Sequence, residues 1–286
     1  MLLRFIILTI LLSSHLWAAL PQGTVVRTLK ANMLFPTDVA VLSDGRVLVV
    51  DGVNSDVMIF DKNDRAKPFT SREFERPLGI FVDSRDRIYI TDTQAQMLLI
   101  FDAKLSLQSR ISLAADIDPT DVVTVGDFLY VVNNDGHQLV KLDRQGREIT
   151  RLGNEGRNRG QFKYPATVAV DDAENIYVVD VFNGRVQMVS KADRFLGQYG
   201  EWGVTTGQLF RPKGVAIGPA GQVYVTDSLL GVIQIFYPGR RSPEVLLDTD
   251  FKTIHLQNPT GIWLDKEGIL WVVESANHQV LGYQIK

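Results

Sequence analysis

Beyond residue 24 the chain is built of short apolar runs broken by polar turns, and no stretch of ten or more residues carries the i, i+3, i+4 spacing of a helix. The runs recur in a fixed order. A proline opens each copy, at Pro36, Pro77, Pro119, Pro165, Pro212 and Pro259, with spacings of 41, 42, 46, 47 and 47 residues. A first apolar stretch follows the proline, as in DVAVLSDG from Asp38 and GVAIGPAG from Gly214, and ends in a hairpin-type turn rich in Asp, Gly and Asn. A second run closes on an acid or amide 15 positions after the proline, or 14 in the third copy: Asp51, Asp92, Asn133, Asp180, Asp227 and Glu274. A third run alternates β-branched and aromatic residues (VMIFD, LLIFD, VQMVS, VIQIF), and a variable fourth follows, such as RFLGQYG. Each copy therefore predicts four short antiparallel strands in a meander.

Repeats of 40 to 50 residues with four strands apiece predict a β-propeller, here all-β with six four-stranded blades. The last copy ends at HQVLGYQIK, a third strand with no fourth after it. The segment Thr24 to Lys30 (TVVRTLK) precedes the first proline and belongs to no copy, so it is expected to join the last blade as its outer strand and close the ring. Residues 20–286 then form one domain.

Ahead of it, residues 1–19 have the layout of a signal peptide: Arg4, an apolar run from Phe5 to Leu12, a polar break at Ser13, Ser14 and His15, and the small residues Ala18 and Ala19. Cleavage is expected after Ala18, with Ala19 as the alternative. The run is too short to span a bilayer comfortably, so the expectation is an exported protein, periplasmic or secreted, without a stable membrane span. The chain has no cysteine, which removes disulfides, thiolate metal sites and thiol nucleophiles. A net charge of −3 gives no electrostatic footprint for nucleic acid.

The unit P-x-G-V-A-V-D, then I-Y-V-x-D, then N-H-x-I, together with the connectors at 153–165 (GNEGRNRGQFKYP) and 200–212 (GEWGVTTGQLFRP), resembles the NHL repeat. Its third motif is kept best at Asn277 and His278. The resemblance spans essentially all of the chain beyond the leader and implies the propeller fold. It also brings an enzyme to test, the peptidyl-hydroxyglycine amidating lyase, in which histidines directly after the repeat prolines hold zinc. Here those places are Thr37, Leu78, Thr120, Ala166, Lys213 and Thr260, and none is histidine. The calcium-dependent gluconolactonase-like propellers also fit poorly, because the first blade lacks their early metal-binding glutamate. No G-x-S-x-G occurs.

Strands one and two run antiparallel, so the residues after the prolines and the acids that end strand two emerge on one face of the disc. The repeated acids are expected to be acceptors for loop N–H groups rather than a cation ring. Departures from the repeat point to function instead. Thr37, Asp38, Thr120, Asp121, Lys213 and Thr260 are the candidate ligand-binding residues at the channel mouth, with Asp38, Asp121 and Lys213 as its charged members. A second candidate surface is the basic connector region around Arg157, Arg159 and Arg194, suited to an acidic partner. The expected function is a non-catalytic, monomeric binding or scaffold module for a protein, peptide or small ligand, without a cofactor. The alternative is a propeller lyase or hydrolase using calcium or a similar cation in the channel.

Overall fold

A computed structural model describes residues 20–240 and 242–286; the leader expected at 1–19 lies outside the described residues. Strand β1 (Gly23–Lys30) comes first, followed by β2 (Pro36–Val41), β3 (Val47–Asp51), β4 (Asp56–Phe60) and β5 (Ala66–Thr70) of blade one. Blade two holds β6 (Pro77–Val82), β7 (Ile88–Asp92), β8 (Met97–Phe101) and β9 (Leu107–Ser112), and blade three β10 (Pro119–Val125), β11 (Phe128–Asn133), β12 (Gln138–Asp143) and β13 (Glu148–Leu152). Blade four holds β14 (Pro165–Val170), β15 (Ile176–Asp180), β16 (Arg185–Val189) and β17 (Phe195–Tyr199). Blade five holds β18 (Pro212–Ile217), β19 (Val223–Asp227), β20 (Val232–Phe236) and a two-residue β21 (Glu244–Val245). Blade six contains β22 (Pro259–Leu264), β23 (Ile269–Glu274) and β24 (Gln279–Ile285), with β1 hydrogen-bonded to β24 on its outer side.

The fold is the six-bladed propeller that the repeat predicts: six sheets of four antiparallel strands. Their innermost strands pack in a closed cycle, β2 against β6, β6 against β10, and so on round to β22 against β2. The core is accordingly divided into six slabs, each shared by two neighbouring blades. One joins blades one and two through Leu48, Val50, Ile80, Ile88 and Ile90, and another joins blades six and one through Val47, Val49, Trp271 and Val273. Strands two of every blade are buried on both faces, which accounts for their continuous apolar runs (VLVVD, IYITD, IYVVD) in place of strict alternation. Fourth strands such as AKPFT are mostly exposed, so little in their sequences repeats.

The acids that end strand two tie the connectors to the blades. Asp51 accepts the N–H groups of Leu34 and Phe35, Asp92 those of Glu75 and Arg76, and Asp227 those of Phe210 and Arg211; Asn133 takes Asp118, Asp180 takes Lys163, and Glu274 takes Gln257. All six are buried. Blade four adds a charged partner, since Arg185 Nε donates to Asp180 Oδ2 at 2.8 Å with both side chains buried, and its Nη2 reaches the Asn158 and Gln161 carbonyls at 2.8 Å. Desolvation raises the Asp180 carboxyl above its ordinary value despite those bonds.

Asp180→Ala would leave a buried guanidinium and a connector N–H without their acceptor, and is expected to cost about 3 to 5 kcal/mol. Chemical denaturation of the two proteins measures this; a loss under about 1 kcal/mol would contradict the account. Deleting residues 20–30 would bare the outer edge of β24, whose register with β1 runs from Gly23↔Ile285 to Lys30↔Gln279. The truncated chain is expected to melt lower and to aggregate, and scanning calorimetry with light scattering gives the readout.

Candidate functional site

Each blade enters the channel through the same irregularity. The pairing of strands one and two slips by one residue directly after the proline, between Pro36 and Asp38, Pro77 and Gly79, and Pro119 and Asp121, with equivalent slips after Pro165, Pro212 and Pro259. Proline has no N–H for the ladder, and the bulge that follows re-aims the next two residues toward the axis. All six residues directly after the prolines, Thr37, Leu78, Thr120, Ala166, Lys213 and Thr260, line one depression of about 540 Å³ at the channel mouth, together with Phe35, Arg76, Asp118, Asn134 and Asn258. Asp38 and Thr167 form its floor, and below them a narrower cavity of about 130 Å³ continues past Asp121 to Phe81 and Trp263.

Most of the polar groups at the mouth are fastened to the neighbouring blade. The Thr37 hydroxyl donates to the Leu78 carbonyl and that of Thr120 to the Ala166 carbonyl, both at 2.7 Å, and Thr167 donates to the Lys213 carbonyl. Thr226 donates to the Thr260 carbonyl at 2.6 Å, and Ser275 to that of Pro36 at 2.5 Å, while the Thr260 hydroxyl lies 2.9 Å from that of Ser275. Among the described residues the step from blade two to blade three has no such bond: Leu78 has no hydroxyl, and Thr91, the counterpart of Thr226, turns to the Gly79 carbonyl of its own blade.

Asp38 and Asp121 make the same kind of bridge with carboxylates. Asp38 accepts the N–H of Val39 in its own blade and of Ile80 in the next, both at 2.9 Å; Asp121 accepts those of Val122 at 2.7 Å and Val168 at 2.8 Å. Their neighbours at the same repeat position make room for them. A Cβ on Gly261 would fall 2.4 Å from Asp38 Oδ1, and one on Gly79 would fall 3.0 Å from Asp121 Oδ1 and 2.4 Å from the Thr120 carbonyl. Burial raises Asp38 to about 7, and Asp121 is raised well above the usual carboxylate range by its own burial and then by the charge of Asp38.

Asp38 and Asp118 are the acids that line the same depression as Lys213, which makes no ion pair among the described residues. Its ammonium is lowered from the ordinary lysine value by desolvation first and by the like charge of Arg211 second. Arg211 lies over the Phe182 ring, 4.0 Å from guanidinium to centroid, and Phe182, Tyr164 and His137 form a run of ring contacts at 5.2 and 4.6 Å. Tyr164 and Phe182 are exposed. This ledge escapes a reading of single repeats, because its members come from two loops of blade four and one each of blades three and five.

The three described histidines do not converge. His137 Nδ1 accepts the Tyr164 N–H at 3.0 Å, while His255 and His278 are exposed in separate loops. Among the described residues no group of three or more His, Cys, Asp or Glu side chains is placed to hold a metal ion. Arg157, Arg159 and Arg194 are exposed on the outer connector side of blades three and four, where Arg159 donates to the Phe195 carbonyl. No described helix is long and apolar enough to cross a membrane.

The chain is a six-bladed β-propeller, and solved propellers superimpose on nearly all of it. A streptogramin B lyase aligns with TM-score 0.67 at 13% identity, covering 91% of this chain and 97% of that one. A PQQ-bound aldose sugar dehydrogenase from Streptomyces coelicolor gives 0.67 at 13%, covering 93% and 98%, and a Bacteroides thetaiotaomicron protein of unknown function gives 0.71 at 14%, covering 93% and 72%. No protein-family model matches the chain. Identities this low carry the fold and nothing finer.

The raised Asp38 value makes a signed prediction. The unfolded carboxyl ionises near 3.8 and the folded one near 7, so the folded state holds the extra proton between those values, and the stability Asp38 contributes, complete below pH 4, is lost as pH rises toward 7. The melting temperature of wild type minus that of Asp38→Asn is expected to fall as pH is raised from 4 to 8. A signed difference that stays flat or rises would contradict the assignment.

Proposed function

We propose that this chain is an exported, non-catalytic binding module that takes a peptide, protein segment or small ligand bearing an anionic group at the channel mouth. The observation that carries the reading is Lys213: a half-buried ammonium with Arg211 beside it and no ion-pair partner among the described residues, at the edge of the 540 Å³ depression. An anionic ligand would supply the missing counter-charge. Asn134, Asn258 and Arg76 offer further polar groups around the same opening. Burial raises both throat acids, so they offset the positive charge above them less than two fully ionised carboxylates would. The likeness of the repeats to NHL propellers and the leader-like residues 1–19 support a role in recognition outside the cytoplasm.

A propeller lyase or hydrolase acting through a cation on Asp38 and Asp121 is the second reading. Two buried acids with raised values in one cavity favour it, while the lyase and dehydrogenase activities of similar structures belong to those proteins alone. Against it stands the engagement of both carboxylates with backbone N–H groups. Metal analysis of the purified chain separates the readings: one tightly held ion, lost in Asp38→Asn, would favour the enzyme.

For the binding reading, partner capture from the exported fraction should weaken at least tenfold in Lys213→Met and remain in the triple variant Arg157→Ala, Arg159→Ala, Arg194→Ala. A loss confined to the arginine variant, with strong salt dependence, would move the site to the outer connectors.

A further inference from the structure

The aromatic ledge beside the mouth continues past Arg211. Trp202, from the connector that leads into blade five, packs on Phe210 with ring centroids 5.4 Å apart, and Phe210 directly precedes Arg211 in the chain. Arg211 lies over Phe182, and the run goes on through Tyr164 to His137. Leu229 joins it from blade five, where the N–H and hydroxyl of the preceding Ser228 both donate to the Arg211 carbonyl. Trp202 and Leu229 are 62% and 63% exposed, and Phe182 is 43% exposed.

Folding does not ask for these side chains. Phe182 and Leu229 stand two places after the acid that ends strand two, and the same place holds Gln94, Asp135 and Ala276 in blades two, three and six, with Val53 in blade one. A polar or small residue therefore serves the blade equally well. A contiguous exposed apolar patch with charge at its edge marks an interaction surface. Its charge is positive. The Arg211 backbone N–H goes to Asp227, while its guanidinium, resting on Phe182, makes no hydrogen bond or ion pair among the described residues. Across the mouth Asp118 has Arg76 as the cation acting on it, and Asp38 is bonded to two backbone N–H groups. Arg211 and Lys213 are thus left open to an anion, and a guanidinium held flat on a ring keeps its N–H edge free for a carboxylate.

From this we infer that the ledge and its two cations take a protein segment in which an Asp or Glu stands one or two places from a Phe, Trp or Leu. The carboxylate meets Arg211 and Lys213, and the apolar side chain beside it lies against Phe182 and Trp202. The inference rests on the reading of the mouth as an anion-binding face and adds the class of partner. Aromatic residues and arginine are the side chains that dominate the energetics of protein interfaces. A uronate-bearing glycan is the other polymer that carries carboxylates, and its sugars stack on flat, open ring faces. Here successive rings meet at 53°, 57° and 83°, and one face of Phe182 lies under Arg211, so the ledge offers notches for side chains instead of a platform.

The test pans a phage library of random dodecapeptides on the immobilised full chain and measures a synthetic consensus peptide by fluorescence polarisation. Enriched peptides are expected to pair Asp or Glu with Phe, Trp or Leu at the stated spacing. Replacing that acid by its amide should weaken binding at least tenfold, as should Arg211→Gln, Phe182→Ser and Trp202→Ser in the protein. Leu196→Ser, an exposed site on the outer strand of blade four, should bind like wild type. Circular dichroism checks each fold, and three separate variants keep the test open should one not fold. No enrichment, enriched peptides without an acid, or binding of oligogalacturonate in place of peptides would overturn the inference. Loss in Lys213→Met with both ring variants neutral would also overturn it while leaving the mouth as the anion site. Peptide binding indifferent to both Lys213→Met and Arg211→Gln would overturn the reading of the mouth as well.

Discussion

The slip in pairing after each proline is the constraint on which the rest of this molecule depends. A flat first strand would point its side chains at its own sheet neighbours and leave adjacent blades joined by apolar packing alone. The bulge turns two residues inward, close enough to the next blade that hydroxyls and carboxylates of one copy bond the backbone of the following one. Apolar burial between blades is not directional, so it stabilises the stack without fixing the angle between sheets. The hydrogen bonds at the axis supply the direction. Because the chain returns from β22 to β2, an error in one angle would have to be absorbed by the other five.

The same geometry explains why a glycine precedes each acid around the axis, Gly261 before Asp38 and Gly79 before Asp121. Where Asp38 or Asp121 reaches across, the facing copy carries Gly261 or Gly79, and a side chain there would strike the carboxylate or the adjoining backbone. Space at the axis is shared among six copies, so large residues can appear only at intervals. A pattern of this kind looks like functional specialisation when each copy is considered alone. Acids in blades one and three read naturally as ligand-binding departures, yet each is already committed to two N–H groups of the wall.

Fold and site were therefore legible to different degrees. The prolines, the acids 15 residues later and the apolar runs between them are repeated six times, because every blade must solve the same packing problem, and that repetition sufficed to predict the architecture. The post-proline positions were legible as a place, since strand polarity puts them all at one mouth. What each side chain does there was not, because its partner lies in another copy some 40 or more residues away. The aromatic ledge of His137, Tyr164 and Phe182 was hidden for the same reason.

Charge placement follows from how each blade treats its buried acids. An acid that meets a guanidinium, as Asp180 does, is compensated within the blade. Asp38 and Asp121 meet only backbone N–H groups, and burial raises both despite those bonds. At neutral pH the channel axis is thus less negative than its two carboxyl groups suggest, and the positive groups at the mouth act on solvent with little cancellation from below. Lys213 is held in that position by the bond from Thr167 to its carbonyl, so its backbone is as fixed as the wall itself. The half-buried Lys213 side chain has less rotamer freedom left to lose than the exposed arginines of the outer connectors.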